Sequence, residues 1–229
     1  MTTYTVAVIS AGLSEPSSTR LLADRLAQAV RRDGARSGLR IDVVDLPLRS
    51  LARQIADMLV TGFPPPALKS ALDAVHSADA LIAVTPVFSA SYSGLFKSFF
   101  DIADPQGFVG KPVLLAATGG SARHSLVLDY AMRPLFAYLK ADVLPTAVFA
   151  ATADFGSDAG GRSLDERIDL AGRQLVAALD RPDRSSSDAP TDLGAGPSAP
   201  TRLDARRHRD ADPFDNLVPF DQQLAQRFG

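Results

Sequence analysis

The feature that most constrains the fold is an uninterrupted apolar run at residues 80–85, which leads directly into a loop of small, polar and aromatic residues at 86–94. A short apolar run without alternation is typical of a strand buried on both faces, as in a parallel sheet covered by helices. Open α/β sheets bind ligands at the carboxyl ends of such strands. We therefore expect a parallel sheet with a candidate ligand site directly after Thr85.

The rest of the chain alternates between strand-like and helix-like segments. The five predicted strands cover residues 4–10, 40–44, 80–85, 113–118 and 143–150. Amphipathic segments predict helices at residues 20–34, 48–59, 67–77, 94–103, 122–139 and 162–179. This alternation favours right-handed βαβ units. We predict an α/β fold, a flavodoxin-like three-layer sandwich with a five-stranded parallel sheet in the order 2-1-3-4-5.

Composition and charge exclude several classes of protein. A net charge of −2 over 229 residues gives no sign of a nucleic-acid-binding surface. Cysteine is absent, which excludes disulfides and thiol nucleophiles and fits a reducing compartment. No apolar run approaches the roughly 20 residues that span a bilayer, and no signal peptide precedes the first strand. We expect a cytoplasmic protein that binds neither nucleic acid nor membrane.

The composition changes after residue 180. Residues 181–212 are dense in Arg, Asp, Ser, Pro, Ala and Gly, with almost no large apolar side chain, so they are predicted to be a disordered linker. Apolar residues, including Phe214, Phe220 and Phe228, return in the last stretch. The expected organisation is one domain at 1–180, a linker at 181–212 and a docking segment at 213–229, whose target is the chain's own core, a second subunit or a partner.

Three loops are expected to meet at the carboxyl edge of the sheet, and the first suits a phosphate. It places hydroxyls just before a helix, where unpaired N–H groups and a partial positive charge favour an anion. It has neither the Lys of a P-loop nor a G-x-G-x-x-G motif, which favours a phosphomonoester over a triphosphate. A plain Ser or Thr helix cap is the alternative. The residues expected to hold the phosphate are Ser10, Ser17, Ser18 and Thr19.

The other two loops supply walls for a planar ring. In the second, Pro86 holds the preceding residue extended, and Phe88 and Tyr92 are placed to flank a ring; ordinary packing of both aromatics is the alternative. In the third, Gly119 and Gly120 permit positive φ and a close approach of backbone to ligand, although a tight turn explains the same pair. The residues expected to contact the ring are Pro86, Val87, Phe88, Ser89, Ser91, Thr118, Gly119, Gly120 and Ser121.

A phosphate cradle, an aromatic loop and a glycine turn at one edge match a phosphorylated planar heterocycle, for which FMN is the natural candidate. His124 follows the glycine turn and is placed to reach a polar edge of the ligand, although a lone His is more often a surface or packed residue. No spacing indicates a metal site or a nucleophilic catalytic set. No residue is assigned a catalytic role.

The loop segments resemble the NADPH-dependent FMN reductase family of flavodoxin-like proteins. Residues 85–97, TPVFSASYSGLFK, are similar to the family's T-P-x-Y-x-x-S-x-x-G-x-x-K segment, with Phe88 where Tyr is usual. Ser17, Leu22 and Ala23 resemble the S-x-x-x-x-L-A start of the first helix. The family's usual Arg before that Ser is missing and the loop is longer. Hydroxyls and backbone N–H groups must then bind the phosphate, and Arg20 is a possible additional contact.

Residues 117–135, ATGGSARHSLVLDYAMRPL, resemble the reductases paired with sulfonate-oxidising, luciferase-like monooxygenases. In that group a Tyr at the position of Tyr130 is linked to a π-bulge in an interfacial helix. The resemblance covers about residues 4–180. It implies hydride transfer from NADPH or NADH to flavin N5, release of reduced FMN to a partner flavin-dependent monooxygenase, and a homodimer or homotetramer. The flavin supplies the chemistry, so the protein needs no acid or base of its own.

Two other functions use the same site. A reductase with permanently bound FMN that reduces quinones, azo dyes or metal oxyanions would purify yellow and show ping-pong kinetics. A flavin-releasing reductase would purify colourless and oxidise NADPH only with added FMN. A flavodoxin-like electron carrier would consume no NADPH; such carriers tend to be shorter and strongly acidic, unlike a chain with a net charge of −2.

Overall fold

The predicted strands form one sheet in the computed structural model, which describes residues 2–156 and 158–181. In chain order its strands are β1 (Thr3–Ser10), β2 (Arg40–Pro47), β3 (Ala80–Phe88), β4 (Ser91–Tyr92), β5 (Pro112–Gly119), β6 (Asp142–Val143) and β7 (Val148–Ala151). The main path is β2-β1-β3-β5-β6, parallel throughout, and β7 also pairs with β5. Because β6 and β7 are the two halves of the predicted fifth strand, the flavodoxin-like order 2-1-3-4-5 is confirmed.

The fifth predicted strand is interrupted between β6 and β7, so a continuous strand over residues 143–150 was wrong. Pro145 has no N–H for the ladder. The Arg133 guanidinium donates instead to the carbonyl oxygens of Leu144 at 3.0 Å and Pro145 at 2.7 Å. The Thr146 N–H donates to the Gln174 side chain at 3.1 Å. Side chains therefore form the hydrogen bonds of the backbone groups where the strand is interrupted.

Helices cover both faces of the sheet. They are α1 (Ser18–Arg36), α2 (Leu48–Thr61), α3 (Pro66–Ser77), α4 (Gly94–Ile102), α5 (Arg133–Tyr138) and α6 (Asp158–Leu179). One core joins α1 and α6 to the sheet, and a second core joins α2, α3, α4 and α5 to the opposite face. Along β3, Ile82 contributes to the first core and Leu81 to the second, and residues 80–86 are all buried. The predicted strand buried on both faces is confirmed.

The segment predicted as one helix over residues 122–139 divides into three pieces. A 3₁₀-helix at Ala122–His124 is followed by a π-helix at Leu128–Met132 and then by α5. The π-helix is closed by an N–H bond from Arg133 to the carbonyl of Leu128, five residues back. Its middle residue, Tyr130, is 79% exposed. The continuous helix was therefore wrong, and the π-helical turn at Tyr130 agrees with the feature that the family resemblance implies.

Lys111 is a buried cation that closes the carboxyl end of α3. It is 8% exposed, and its ammonium donates to the carbonyl oxygens of Val75 and of His76, the latter at 2.9 Å. Cations are favourable at this end of a helix dipole. Burial nevertheless lowers the pKa of Lys111 to about 8, against the opposing effect of Asp79.

The described part of the chain ends shortly after α6. The predicted linker beyond Arg181 and the predicted docking segment at 213–229 lie outside the described residues, so this domain organisation stays a prediction. Among the described helices, none is long and apolar enough to cross a membrane.

Candidate functional site

The carboxyl edge of the sheet brings the three predicted loops together. The N–H of Ala11, after β1, donates to the carbonyl of Val84 in β3 at 2.9 Å. Pro86 of β3 lies in register with Thr118 of β5. The hydroxyl oxygens of Thr118 and Thr19 are 2.8 Å apart and hydrogen-bonded, which joins α1 to the end of β5. The predicted convergence of the loops is confirmed.

The first loop delivers the start of α1, a 19-residue helix, to this edge. The Ser17 hydroxyl accepts the N–H of Arg20 at 3.2 Å and caps the helix. The N–H groups of Ser18 and Thr19 belong to the first turn, which has no intrahelical acceptors for them. Gly12 lies so close that a Cβ there would be 2.1 Å from the Ser17 hydroxyl oxygen. The first turn is therefore both capped and suited to an anion.

The predicted phosphate ligands differ in their access to solvent. Ser18 is exposed and Ser17 is half-buried, whereas Ser10 and Thr19 are buried. The buried Thr19 hydroxyl is engaged by Thr118. These two threonine side chains hold the first and third loops together. The ligand contacts expected of Thr19 and Thr118 stay predictions.

The second loop is shorter than predicted because β3 continues through Pro86 to Phe88 and turns tightly into β4. Ser89 and Ala90 form the turn with φ values of 47° and 66°. Positive φ at both central residues is the geometry of a type I′ hairpin, here without the usual Asn-Gly. The predicted loop over residues 86–94 is thus a strand end and a hairpin.

The two aromatic residues of this hairpin have different surroundings. Phe88 is 47% exposed at the sheet edge, where a ring wall was predicted. Tyr92 packs on Phe96, with ring centroids 5.7 Å apart, and belongs to the margin of a core. Sequence reasoning missed Thr85, whose buried hydroxyl accepts the N–H of Ser93 at 3.0 Å and donates to the carbonyl of Pro86. Thr85 therefore fixes the start of α4 against the end of β3.

The glycines of the third loop act differently from the prediction. Neither Gly119 nor Gly120 has a positive φ, so that part of the argument was wrong. A Cβ on Gly119 would be 2.9 Å from the ring of Phe149, whereas a Cβ on Gly120 would meet nothing within 4 Å. Gly119 permits close packing, and Gly120 leaves its backbone open to a ligand. Ser121 and the exposed His124 follow directly.

A cleft of about 710 Å³ opens beside the first loop. Its lining residues are Ser10, Gly12, Ser14, Glu15, Pro16, Ser17, Arg20, Pro47, Arg49 and Ser50. It includes Ser10 and Ser17 of the predicted phosphate ligands, and none of the predicted ring contacts. It extends from β1 to the end of β2 and the first turn of α2.

Two arginines line the cleft, and both pair with carboxylates. Arg20 pairs with Asp24 at 3.0 Å and Asp45 at 2.7 Å. Burial opposes its charged form, but the two carboxylates outweigh that effect and raise the pKa of Arg20. Arg49 pairs with Glu15. Arg49 was not among the residues predicted from the sequence. Its position just after β2, at the same sheet edge as the other loops, could have indicated that it lines the cleft.

A doubly wound parallel sheet with ligand loops at its carboxyl edge defines the class of flavodoxin-like nucleotide-binding folds. Residues 4–156 match the model of one family within this class, described as NADPH-dependent FMN reductase. The chain belongs to the NADPH-dependent FMN reductase family, which confirms the resemblance seen in its loop motifs.

Relatives span nearly the same domain. The chain is 39% identical over 152 residues to an FMN reductase (NADPH) of Pseudomonas aeruginosa, covering 66% of this chain and 79% of the relative. It is 38% identical over 176 residues to the NADH-dependent FMN reductase SfnE of Pseudomonas putida, covering 76% and 92%. The solved structure of an oxidoreductase from Corynebacterium diphtheriae matches with a TM-score of 0.75 at 45% identity, covering 78% of this chain and 98% of that one.

Proposed function

We propose that this protein is an NAD(P)H-dependent FMN reductase that delivers reduced FMN to a partner flavin-dependent monooxygenase. The observation that carries the proposal is the meeting, at one sheet edge, of the first turn of α1, whose N–H groups suit an anion, and the open space beside Gly120. Family membership supports the activity, since the relatives described above are named FMN reductases.

The geometry suggests how the chain holds FMN. The Ser17 hydroxyl and the N–H groups of Ser18 and Thr19 bind the phosphate, because a helix start offers donors and a favourable dipole. The β3–β4 hairpin and the backbone from Gly119 to Ser121 would hold the ring. When bound, the flavin supplies the chemistry of accepting a hydride from the nicotinamide.

The chain's own contribution is to position the flavin and the nicotinamide. The Thr19–Thr118 hydrogen bond fixes the distance between the phosphate loop and the ring loop. The side chain of Phe88 is half-exposed at the sheet edge and would be available to contact the ring. Correct placement of two reactants is itself a large rate effect. No side chain has to donate or accept a proton in the hydride transfer, so we assign no catalytic residue.

The assembly and location are also part of the proposal. Leu126, Tyr130 and Tyr138 are exposed large side chains on and beside the π-helix. Tyr130 and Tyr138 line the same cleft between α4 and the π-helix, and exposed apolar surface of this kind often marks an interface. We expect a homodimer or homotetramer that uses this surface, and a cytoplasmic location where NAD(P)H is available.

Steady-state assay of the purified full chain tests the proposed function. We expect colourless protein that oxidises NADPH or NADH only when FMN is added, with a rate that saturates in FMN. Yellow protein with ping-pong kinetics towards a quinone would instead indicate a reductase with permanently bound flavin. Flavin binding without any NAD(P)H consumption would indicate an electron carrier.

A further inference from the structure

The difference between NADPH and NADH is one chemical group. NADPH carries a phosphate on the 2′-oxygen of its adenosine, where NADH has a hydroxyl. This phosphate is close to doubly charged at neutral pH, and an arginine binds such a group through charge-assisted hydrogen bonds. A protein that selects NADPH is therefore expected to offer an arginine that no carboxylate already holds.

Three arginines near the carboxyl edge of the sheet are held by other groups of the chain. Arg20 and Arg49 pair with the carboxylates described above. Arg167 donates to the carbonyl of Phe149 at 2.7 Å and pairs with Asp154 at 3.4 Å. A phosphate that bound any of these arginines would compete with the partner that the arginine already has.

Arg123 differs from these three arginines because it has no acidic partner. It is exposed, and its guanidinium forms no ion pair within residues 2–156 and 158–181. The acidic residue closest to it in the sequence, Asp129, pairs with Arg133 at 2.7 Å. The positive charge of Arg123 is therefore available to a ligand.

Arg123 lies on the side of the proposed ring walls that is away from the first loop. It belongs to the 3₁₀-helix at Ala122–His124, directly after the third loop. A Cβ on Gly119 would be 3.6 Å from the Cβ of His124, so this turn folds back over the end of β5. The turn also contacts β7, which pairs with β5 on the side away from β3 and β1. Along the sheet edge, the first loop is therefore followed by the ring walls and then by Arg123.

Electrostatic repulsion favours the same order for the two ligands, since FMN and NADPH both carry phosphates. The proposed function assigns the phosphate of FMN to the start of α1, at Ser17. Like charges repel, so the 2′-phosphate of the dinucleotide is favoured at the opposite end of the ring walls. Arg123 is the arginine without an acidic partner at that end.

We propose that Arg123 binds the 2′-phosphate of NADPH and is the residue that sets a preference for NADPH over NADH. The inference rests on the proposed function, because that function locates the flavin phosphate and the ring. Arg123 contributes to binding of the dinucleotide and takes no part in the hydride transfer.

Steady-state kinetics of the full chain at saturating FMN test the preference. Wild-type kcat/KM should be about tenfold higher for NADPH than for NADH, the size expected for one charge-assisted contact. Arg123→Gln should lower the kcat/KM for NADPH about tenfold, through KM, and leave that for NADH within about twofold. Arg31→Gln is the matched control: Arg31 is exposed and lies about 20 Å along α1 from its start, so both dinucleotides should react as in wild type.

Calorimetry gives a second readout that does not depend on turnover. On full-length protein saturated with FMN, adenosine 2′,5′-bisphosphate should bind about tenfold more tightly than 5′-AMP, because only the bisphosphate carries the 2′-phosphate. Arg123→Gln should abolish this difference, and Arg31→Gln should keep it.

Three outcomes would overturn the inference. Wild-type protein that used NADH as well as NADPH would have no preference for Arg123 to set. Equal losses for both dinucleotides in Arg123→Gln would assign Arg123 to the pyrophosphate that they share. A raised KM for FMN with unchanged dinucleotide kinetics would assign Arg123 to the flavin. Failure of the proposed function would be separate, as absent NAD(P)H oxidation with FMN in the wild type, whatever the calorimetry shows.

Discussion

The hydrogen bond between Thr19 and Thr118 joins loops that lie 99 residues apart in the chain. Both side chains are buried. Loss of the partner of a buried hydroxyl lowers the free energy of unfolding by about 1–3 kcal/mol. Both threonines are therefore needed for the structure of the site. Ser17 is different, because its hydroxyl lines the cleft and caps the helix in the same position.

Variants at Ser17 and Thr19 should therefore separate phosphate binding from stability. Ser17→Ala should weaken FMN about tenfold more than riboflavin, because only FMN carries the phosphate that accepts the hydroxyl's hydrogen bond. Thr19→Val should lower the free energy of unfolding by about 1–3 kcal/mol and leave the FMN-to-riboflavin ratio unchanged. Fluorescence titration and urea unfolding measure the two effects. Equal losses for both flavins in Ser17→Ala would contradict the phosphate assignment.

Lys111 makes stability depend on pH in the alkaline range. Its pKa is lowered to about 8 in the folded protein, below the ordinary value of 10.5. Between these values the unfolded chain binds more protons, so the free energy of unfolding should rise with pH over this window, by up to about 3 kcal/mol, relative to Lys111→Met. Urea unfolding of both proteins at several pH values gives the difference. If the difference in the free energy of unfolding between the two proteins does not change with pH, the hydrogen bonds to the carbonyls of Val75 and His76 fully offset the effect of burial on the pKa of Lys111.

At the scale of elements, the two adjacent glycines after β5 have separate tasks. Gly119→Ala places a methyl 2.9 Å from the Phe149 ring and should cost about 1–3 kcal/mol of stability. Gly120→Ala meets open space and should fold normally. It should nevertheless weaken FMN and riboflavin alike, because the proposed function assigns that open space to the ring. Thermal unfolding and flavin titration distinguish the two variants. Unchanged flavin binding in Gly120→Ala would mean that the ring lies elsewhere.

The sheet and its order could be predicted from the sequence because they follow from residue pattern. Each central strand is a continuous apolar run, and each intervening segment has the period of a helix, which together leave few topologies. The breaks could not be predicted in the same way. The interruption between β6 and β7 is stabilised by Arg133, a residue on another element. The π-helix at Leu128–Met132 was indicated by the family resemblance at Tyr130 and not by the apolar periodicity, which predicted one continuous helix.

The candidate site was predictable to a similar degree. Ser17 and the third loop could be placed because helix starts and strand ends have local signatures. The hydrogen bond from the Thr19 side chain to Thr118 could not be predicted, because a hydroxyl near a helix start has the same sequence signature whether it faces solvent or another loop. Arg49 was missed since only the folded chain brings the start of α2 beside the first loop.

At the scale of the molecule, the described residues supply the members of both cores that are named above. Leu179, at the end of α6, is buried, and Arg181 pairs with Asp142 at 3.7 Å. A chain ending after Arg181 should therefore fold, keep its thermal midpoint within a few degrees and retain flavin reductase activity. Insolubility or lost activity would show that residues 182–229 complete the core or a subunit interface.

A crystal structure of the protein with FMN tests the central claim most directly, because the claim concerns where the flavin lies. The account predicts that the phosphate contacts Ser17 and the first N–H groups of α1, with the ring between the β3–β4 hairpin and the backbone of Gly119, Gly120 and Ser121. A flavin bound elsewhere, such as in the cleft of about 670 Å³ between α4 and the π-helix, would contradict it.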